Sequence, residues 1–309
     1  MSEAHTHLQP WSFPVVITSA LATLAFVCSR GWWRLRSAIP CTIPIWRLAA
    51  FIAGLCSLWI VVGSPLSALD HVSLTIHMID HLVLMLVAAP LILAGAPALP
   101  LLQGLPTKFE RGLQNLYLHN LPAQSLTRIL RHPVFCWLFA AGAVIGWHVP
   151  LVFQLPLRSH WWHEVEYASF ILAGLLFWRP VMHTEATWSR WSMPLYLFLA
   201  TLPCDILSAF LAFCDRVVYP SYLSVPHLFN LSPLEDQQCA SALMWVSVTV
   251  AYLVPAAAIT VKILSPRGTY SQQPARGLPD GSPSPLPQVE VVEVWQPKPS
   301  SASRAPLRA

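Results

Sequence analysis

Seven stretches of about twenty mostly apolar residues run along the 309-residue chain, at 11 to 29, 46 to 63, 73 to 95, 133 to 152, 163 to 182, 193 to 213 and 237 to 263. Some twenty residues at about 1.5 Å each is the length an α-helix needs to cross the hydrocarbon core of a bilayer, where only helices and closed barrels satisfy the backbone. The spacing therefore predicts an all-α, polytopic membrane bundle of seven transmembrane helices. Composition agrees, with 55% hydrophobic and 10% charged residues against roughly a quarter charged in soluble domains. The 14 Trp and 29 Pro fit the same class, because Trp favours headgroup level and bundled membrane helices tolerate Pro.

Seven crossings put the termini on opposite sides, and the distribution of Lys and Arg selects between the two orientations. With the N-terminus outside, only Arg158 and Arg216 of the 18 Lys and Arg face out, and the other sixteen lie inside. The predicted organisation is a short periplasmic segment (1–10), a transmembrane domain (11–264) and a Pro/Ser-rich cytoplasmic tail (265–309) without periodic apolar pattern, read as disordered. No basic residue precedes the first apolar run, so that run is expected to remain as an anchor. Phe109, Leu113, Leu116 and Tyr117 give the inner loop 103–132 an apolar face at helical spacing, suited to lying along the membrane surface.

The net charge of +4 is scattered near helix ends, which excludes a nucleic-acid surface. Seven cysteines include no CxxC pair, and only Cys214 and Cys239 share the predicted outer face, where they could pair or form a soft site. No phosphate-binding loop, serine-nucleophile motif or HExxH string occurs, and His163-Glu-Val-Glu departs from a zincin because Tyr167 stands at the second histidine position. A non-enzymatic role is expected.

Nine of the 12 histidines fall outside or in the outer membrane half: His5, His7, His71, His77, His81, His148, His160, His163 and His227. Ionisable groups at membrane depth usually face a bundle interior or a wet cavity, which makes them functional candidates. On a continuous helix, steps of seven and four residues drift by about 20° to 40°, so Asp70, His77, His81 and Met85 form one stripe. Imidazoles at i and i+4 can share a metal, and a carboxylate nearby can fix a ring's tautomer. His148, near the outer end of the fourth span, and His163, opening the fifth, lie at the same depth. Four imidazoles at one level suit copper, zinc or haem, and Met85 favours Cu(I). Glu166, Asp205 and Asp236 are candidate supporting partners or proton carriers, with Asp236 alternatively capping the seventh helix.

The chain resembles the CtaG family of cytochrome c oxidase assembly factors, the group linked to caa(3)-type oxidases, from about residue 46 to 264. The resemblance rests on the order and spacing of Gly63-Ser-Pro-Leu-Ser-Ala-Leu-Asp70, His77-Met-Ile-Asp-His81 with Leu84-Met85, and Ala89-Pro-Leu-Ile-Leu-Ala-Gly-Ala-Pro97. His132-Pro133, Trp147-His148-Val-Pro150, His163-Glu-Val-Glu166, Leu172-Ala-Gly-Leu-Leu-Phe-Trp178-Arg-Pro180, Tyr219-Pro220, Glu235-Asp-Gln-Gln238 and Met244-Trp245 continue it. It implies a multi-pass bacterial inner-membrane protein that matures haem-copper oxidase by supplying or handling copper, with oxidase subunits as partners. The family's histidine positions fall on His77, His81, His148 and His163. Two departures stand out: Tyr167 occupies a position where the family tends to have a second histidine, and Cys239-Ala-Ser stands where Leu-Ala-Gly is usual. Two rival expectations are a haem-binding redox protein and a copper or proton transporter using Asp205 and Glu166.

Overall fold

The computed structural model describes residues 14–38, 44–63, 69–106, 121–183, 189, 191–225 and 230–265. The expected N-terminal segment, the apolar face from Phe109 to Tyr117 and the tail beyond Ser265 lie outside the described residues. Contacts divide the chain into two units, Met1–Ser265 and Pro266–Ala309, and every described residue belongs to the first.

Among the described residues the chain is helical throughout, without a strand. Long helices occupy Val15–Ala38 (α1), Ile45–Gly63 (α2), Leu74–Ala94 (α3), His160–Met182 (α8), Ser192–Phe213 (α9) and Pro233–Leu264 (α10). Shorter helices are Ala98–Gly104 (α4), Leu121–Arg131 (α5), Pro133–His148 (α6) and Pro150–Arg158 (α7). The six long helices are each long and apolar enough to span a membrane.

The expected fourth crossing is different. It is interrupted at both ends by proline, and α6 keeps only 16 residues. His132 and Val149, the residues before Pro133 and Pro150, are extended, because a proline ring disfavours helical backbone in its predecessor. The stretch Ser125–Arg131 meets α6 at a 70° bend, so the described residues hold six candidate spans, or seven with this bent pair counted as one.

α3 is the hub, contacted by α2, α8 and α10, while α9 lies along α10 and α8 also packs on α6. Its middle, Val83–Ala88, is a π turn, in which the amide of Ala89 reaches the carbonyl of Leu84. Pro90 supplies the reason: its ring would collide with the carbonyl four residues back, and a wider turn removes the collision. The Met85 carbonyl accepts instead from Trp178 Nε1 of α8 at 3.0 Å. Close approach at this level requires Gly174, where a Cβ would lie 2.7 Å from Ala89 Cβ and 3.1 Å from the Met85 backbone. Phe177, Trp178, Tyr196 and Tyr252 pack as a ring cluster beside it, with centroids 4.8 to 5.7 Å apart, a favourable range for aromatic pairs.

Gly174→Ala should overpack this contact and lower stability by ~1–3 kcal/mol. Gly142→Ala, whose Cβ would meet nothing within 4 Å, should leave the melting temperature in detergent unchanged.

Candidate metal centre

The site begins with the start of α3. Ser73 is its N-cap, and Asp236, in the first turn of α10, accepts from the amides of Leu74 (2.7 Å) and Thr75 (3.2 Å). The same carboxylate accepts from the hydroxyls of Ser73 (3.0 Å) and Thr75 (2.6 Å). A carboxylate there satisfies orphan amide donors and complements the positive end of the helix dipole. α10 needs no such help, since Ser232 and Glu235 close its own capping box. The cap expected of Asp236 on its own helix is supplied by Ser232, and Asp236 instead caps the neighbouring α3.

With the first turn pinned, α3 directs His77 and His81 inward, 1% and 5% exposed. The rings stand edge to face with centroids 4.3 Å apart. His81 stacks on Phe170 of α8 at 3.9 Å, and His77 meets the edge of Phe153 at 5.1 Å. Glu166 of α8, fully buried, brings Oε1 to 3.5 Å from His77 Nε2 and 3.4 Å from His81 Nε2. Each of the three offers one ligand atom within 4.8 Å of the others. Among the described residues, none of the four ring nitrogens and neither Glu166 oxygen has a hydrogen-bond partner. Ligand atoms of a tetrahedral site with bonds of about 2.0–2.2 Å stand about 3.3–3.6 Å apart. The donor set and its spacing therefore fit a single metal ion.

The other expected residues divide around this trio. His148 ends α6, and its Nδ1 donates to the Val144 carbonyl at 2.6 Å. That tautomer leaves Nε2 a buried acceptor, and it has no partner among the described residues. His148 shares a cavity wall with His81 and Met85.

His163 serves a separate network: its Nε2 donates to Asp70 Oδ2 at 2.7 Å. Tyr167 donates to Asp80 Oδ2 at 2.9 Å, with Asp70 Oδ2 3.4 Å away. Tyr167 thus ties two buried carboxylates. Asp70 stands in the turn before α3 rather than on the helix, and the half-exposed His71 lies 3.5 Å from its Oδ1. Burial pushes the Asp70 carboxyl up, but the hydrogen bond from His163 and the neighbouring histidine charges outweigh it and hold it below the ordinary carboxylate value. Tyr222 donates to the Asp70 carbonyl at 2.9 Å, and Tyr219 to the His148 carbonyl at 3.1 Å, so the loop after α9 is fastened to both.

Asp205 accepts from Thr249 at 3.3 Å, between α9 and α10 and outside the trio. Cys214 and Cys239 are free thiols. Asp80, which the sequence reading did not single out, falls off the histidine stripe, and only its pairing with Tyr167 marks it. Gln237, beside Asp236, is fully engaged: its side chain accepts from the amide of Val218 (2.7 Å) and donates to the carbonyls of Leu211 and Arg216.

Comparison with known proteins gives one family match and distant relatives. The family model described as "Cytochrome c oxidase caa3 assembly factor (Caa3_CtaG)" matches residues 27–265. Uncharacterized proteins of Mycobacterium bovis and Mycobacterium tuberculosis are each 26% identical over 249 residues, covering 77% of this chain and 37% of the relative. One from Mycobacterium leprae is 26% identical over 243 residues, covering 76% and 36%. The chain thus spans less than two-fifths of the length of these relatives. No solved structure matches it.

Asp236→Ala should leave four donors at the start of α3 without their acceptor and cost about 3 kcal/mol, whereas Asp236→Asn, which keeps an acceptor oxygen, should cost less. Thermal melting of the two purified variants in detergent separates them. Equal, negligible shifts would mean that the cap does not hold the helix.

Proposed function

The chain belongs to the Caa3_CtaG family of cytochrome c oxidase caa3 assembly factors, and from that premise we propose that it binds copper at His77, His81 and Glu166 and hands it to an oxidase subunit. In this reading the protein is a non-enzymatic metallochaperone of the bacterial inner membrane, with its N-terminus outside. The trio then lies in the extracytoplasmic half of the bilayer, at the depth expected from the distribution of Lys and Arg.

The observation that carries the reading is the set of six polar atoms gathered from α3 and α8 that have no hydrogen-bond partner among the described residues. Unpaired polar groups at such depth are costly, and a cation removes the cost. Neutral imidazoles with one carboxylate bear a single negative charge, which a monovalent copper ion balances. Three protein ligands leave a position open, as release to a client demands and a closed structural site would not permit. Asp236 holds the ligand-bearing turns of α3 in place, and the stacked face of Phe170 and the edge-on contact with Phe153 fix the ring planes.

The geometry favours metal over haem. Haem ligation by paired histidines needs two rings facing each other across a macrocycle, but His77 and His81 share one helix with centroids 4.3 Å apart, and His163 is committed to Asp70. A transport pathway through Asp205 has less support, since Asp205 is engaged with Thr249 away from the trio.

Anaerobic copper titration of the purified protein tests the proposal. His77→Ala combined with His81→Ala should remove the metal equivalent held by the trio, and Glu166→Gln should weaken its binding by at least roughly tenfold. Membranes from cells carrying the double variant should contain caa(3)-type oxidase with depleted copper. Unchanged stoichiometry in the double variant would eliminate the site.

A further inference from the structure

His77, His81 and Glu166 are all buried, yet an ion that is taken up from water and given away again must reach them. His77 lies one turn from the start of α3, whereas about 25 Å of helix separates it from Ala94 at the far end. The shorter route runs through the end where α3, α8 and α10 begin. There Phe153 of α7 joins the trio to the loop after α9. Its ring stands edge to face with His77 at 5.1 Å, stacks on Tyr219 at 4.0 Å and lies 6.1 Å from Tyr222.

The loop is built as a cover. Its tip is a 3-10 turn, Pro220–Leu223, with Tyr219 as the residue before it. Three residues make one turn of such a helix, so Tyr219 and Tyr222 fall on the same face. That face is buried, while Pro220, Leu223 and Ser224 are exposed. The base and the tip are held differently. Gln237 of α10 binds the base through the Val218 amide and the carbonyls of Leu211 and Arg216. Two phenol hydroxyls fasten the tip, Tyr219 on the His148 carbonyl and Tyr222 on the Asp70 carbonyl.

We propose that this tip is a gate over the trio, with Phe153 as its plug and the two hydroxyls as its latches, and that its opening sets how fast the metal exchanges with water. The proposal rests on the trio as the metal site. When the tip swings out on the base that Gln237 fixes, Phe153 loses the ring stacked on it and His77 becomes reachable. The latches bond to backbone carbonyls rather than to the ligand atoms, so they are made with or without an ion. Weakening them therefore raises the rates of entry and exit together and leaves the affinity unchanged. Each neutral hydrogen bond is worth roughly a fivefold to tenfold change in the closed-to-open ratio.

The first half of the experiment needs no metal. Detergent-purified full-length protein is treated with diethyl pyrocarbonate, which modifies accessible imidazoles, and labelling of His77 is followed by peptide mass spectrometry, with the exposed His160 as the reference. Tyr219→Phe and Tyr222→Phe, which keep the rings, should each speed labelling of His77 roughly fivefold to tenfold, and the double variant further. Tyr196→Phe, which loses a bond to the Phe177 carbonyl away from the loop, should label as the wild type does. Wild-type labelling of His77 in the double variant overturns the gate, and so does an equal rise in Tyr196→Phe. In the second half the same proteins are loaded with Cu(I) and mixed with a chromophoric chelator. Transfer should quicken by the factor seen in labelling at unchanged affinity, whereas faster transfer matched by an equal loss of affinity overturns the gate. Failure of the trio reading is a separate outcome: the phenylalanine variants label faster, but His77→Ala with His81→Ala binds as much copper as the wild type, which supports the gate and overturns only its cargo.

Discussion

Inside a membrane bundle there is no water to satisfy an ionisable side chain, so every such group must be met by another helix or by a ligand. α3 carries most of this burden and is surrounded accordingly. Its leading turn is met by Asp236 of α10, Asp80 by Tyr167 of α8, and Asp70, just upstream, by His163. These pairings need helices close enough for side chains to touch, which small residues such as Gly174 permit. At the histidine and glutamate trio, as at His148 Nε2, the helices converge without completing the hydrogen bonding among the described residues.

Much of the fold was legible because a bilayer imposes a length on apolar runs, and the helices α1, α2, α3, α8, α9 and α10 fall close to the expected windows. The fourth window holds a helix of only 16 residues for a local reason. Its residues are apolar enough, but Pro133 and Pro150 set the helix ends, and a hydropathy window does not register backbone geometry. The stripe from His77 to His81 was legible because those positions lie on an ordinary α-helical turn. Its extension was less so: Asp70 precedes the helix, and the π turn that Pro90 imposes changes the periodicity at Met85.

The partition of the histidines was not legible at all. His148 and His163 were expected at the same depth as the trio, and nothing in their spacing distinguishes a ring with a free Nε2 from one that donates to a carboxylate. That distinction depends on Asp70 and Val144, one distant in the chain and the other a backbone carbonyl. Glu166 was assigned a supporting role from its position one turn into α8, whereas the structure places its oxygen against both imidazoles. The Asp236 cap escaped for the same reason as the Asp70 pairing: donor and acceptor are separated by some 160 positions, beyond the reach of any local pattern.

The shortness of α6 has a consequence for the lipid around it. Sixteen residues rise about 24 Å, some 6 Å less than a hydrocarbon core of about 30 Å. A bilayer meets such hydrophobic mismatch by thinning against the protein, at a fraction of a kcal/mol per ångström. If α6 alone makes the crossing, the bilayer would thin in the annulus beside it, and His148 sits at the end of that helix. Such thinning would draw headgroups and interfacial water toward the histidine and shorten the desolvated distance that a charged solute must cover to reach the bundle interior.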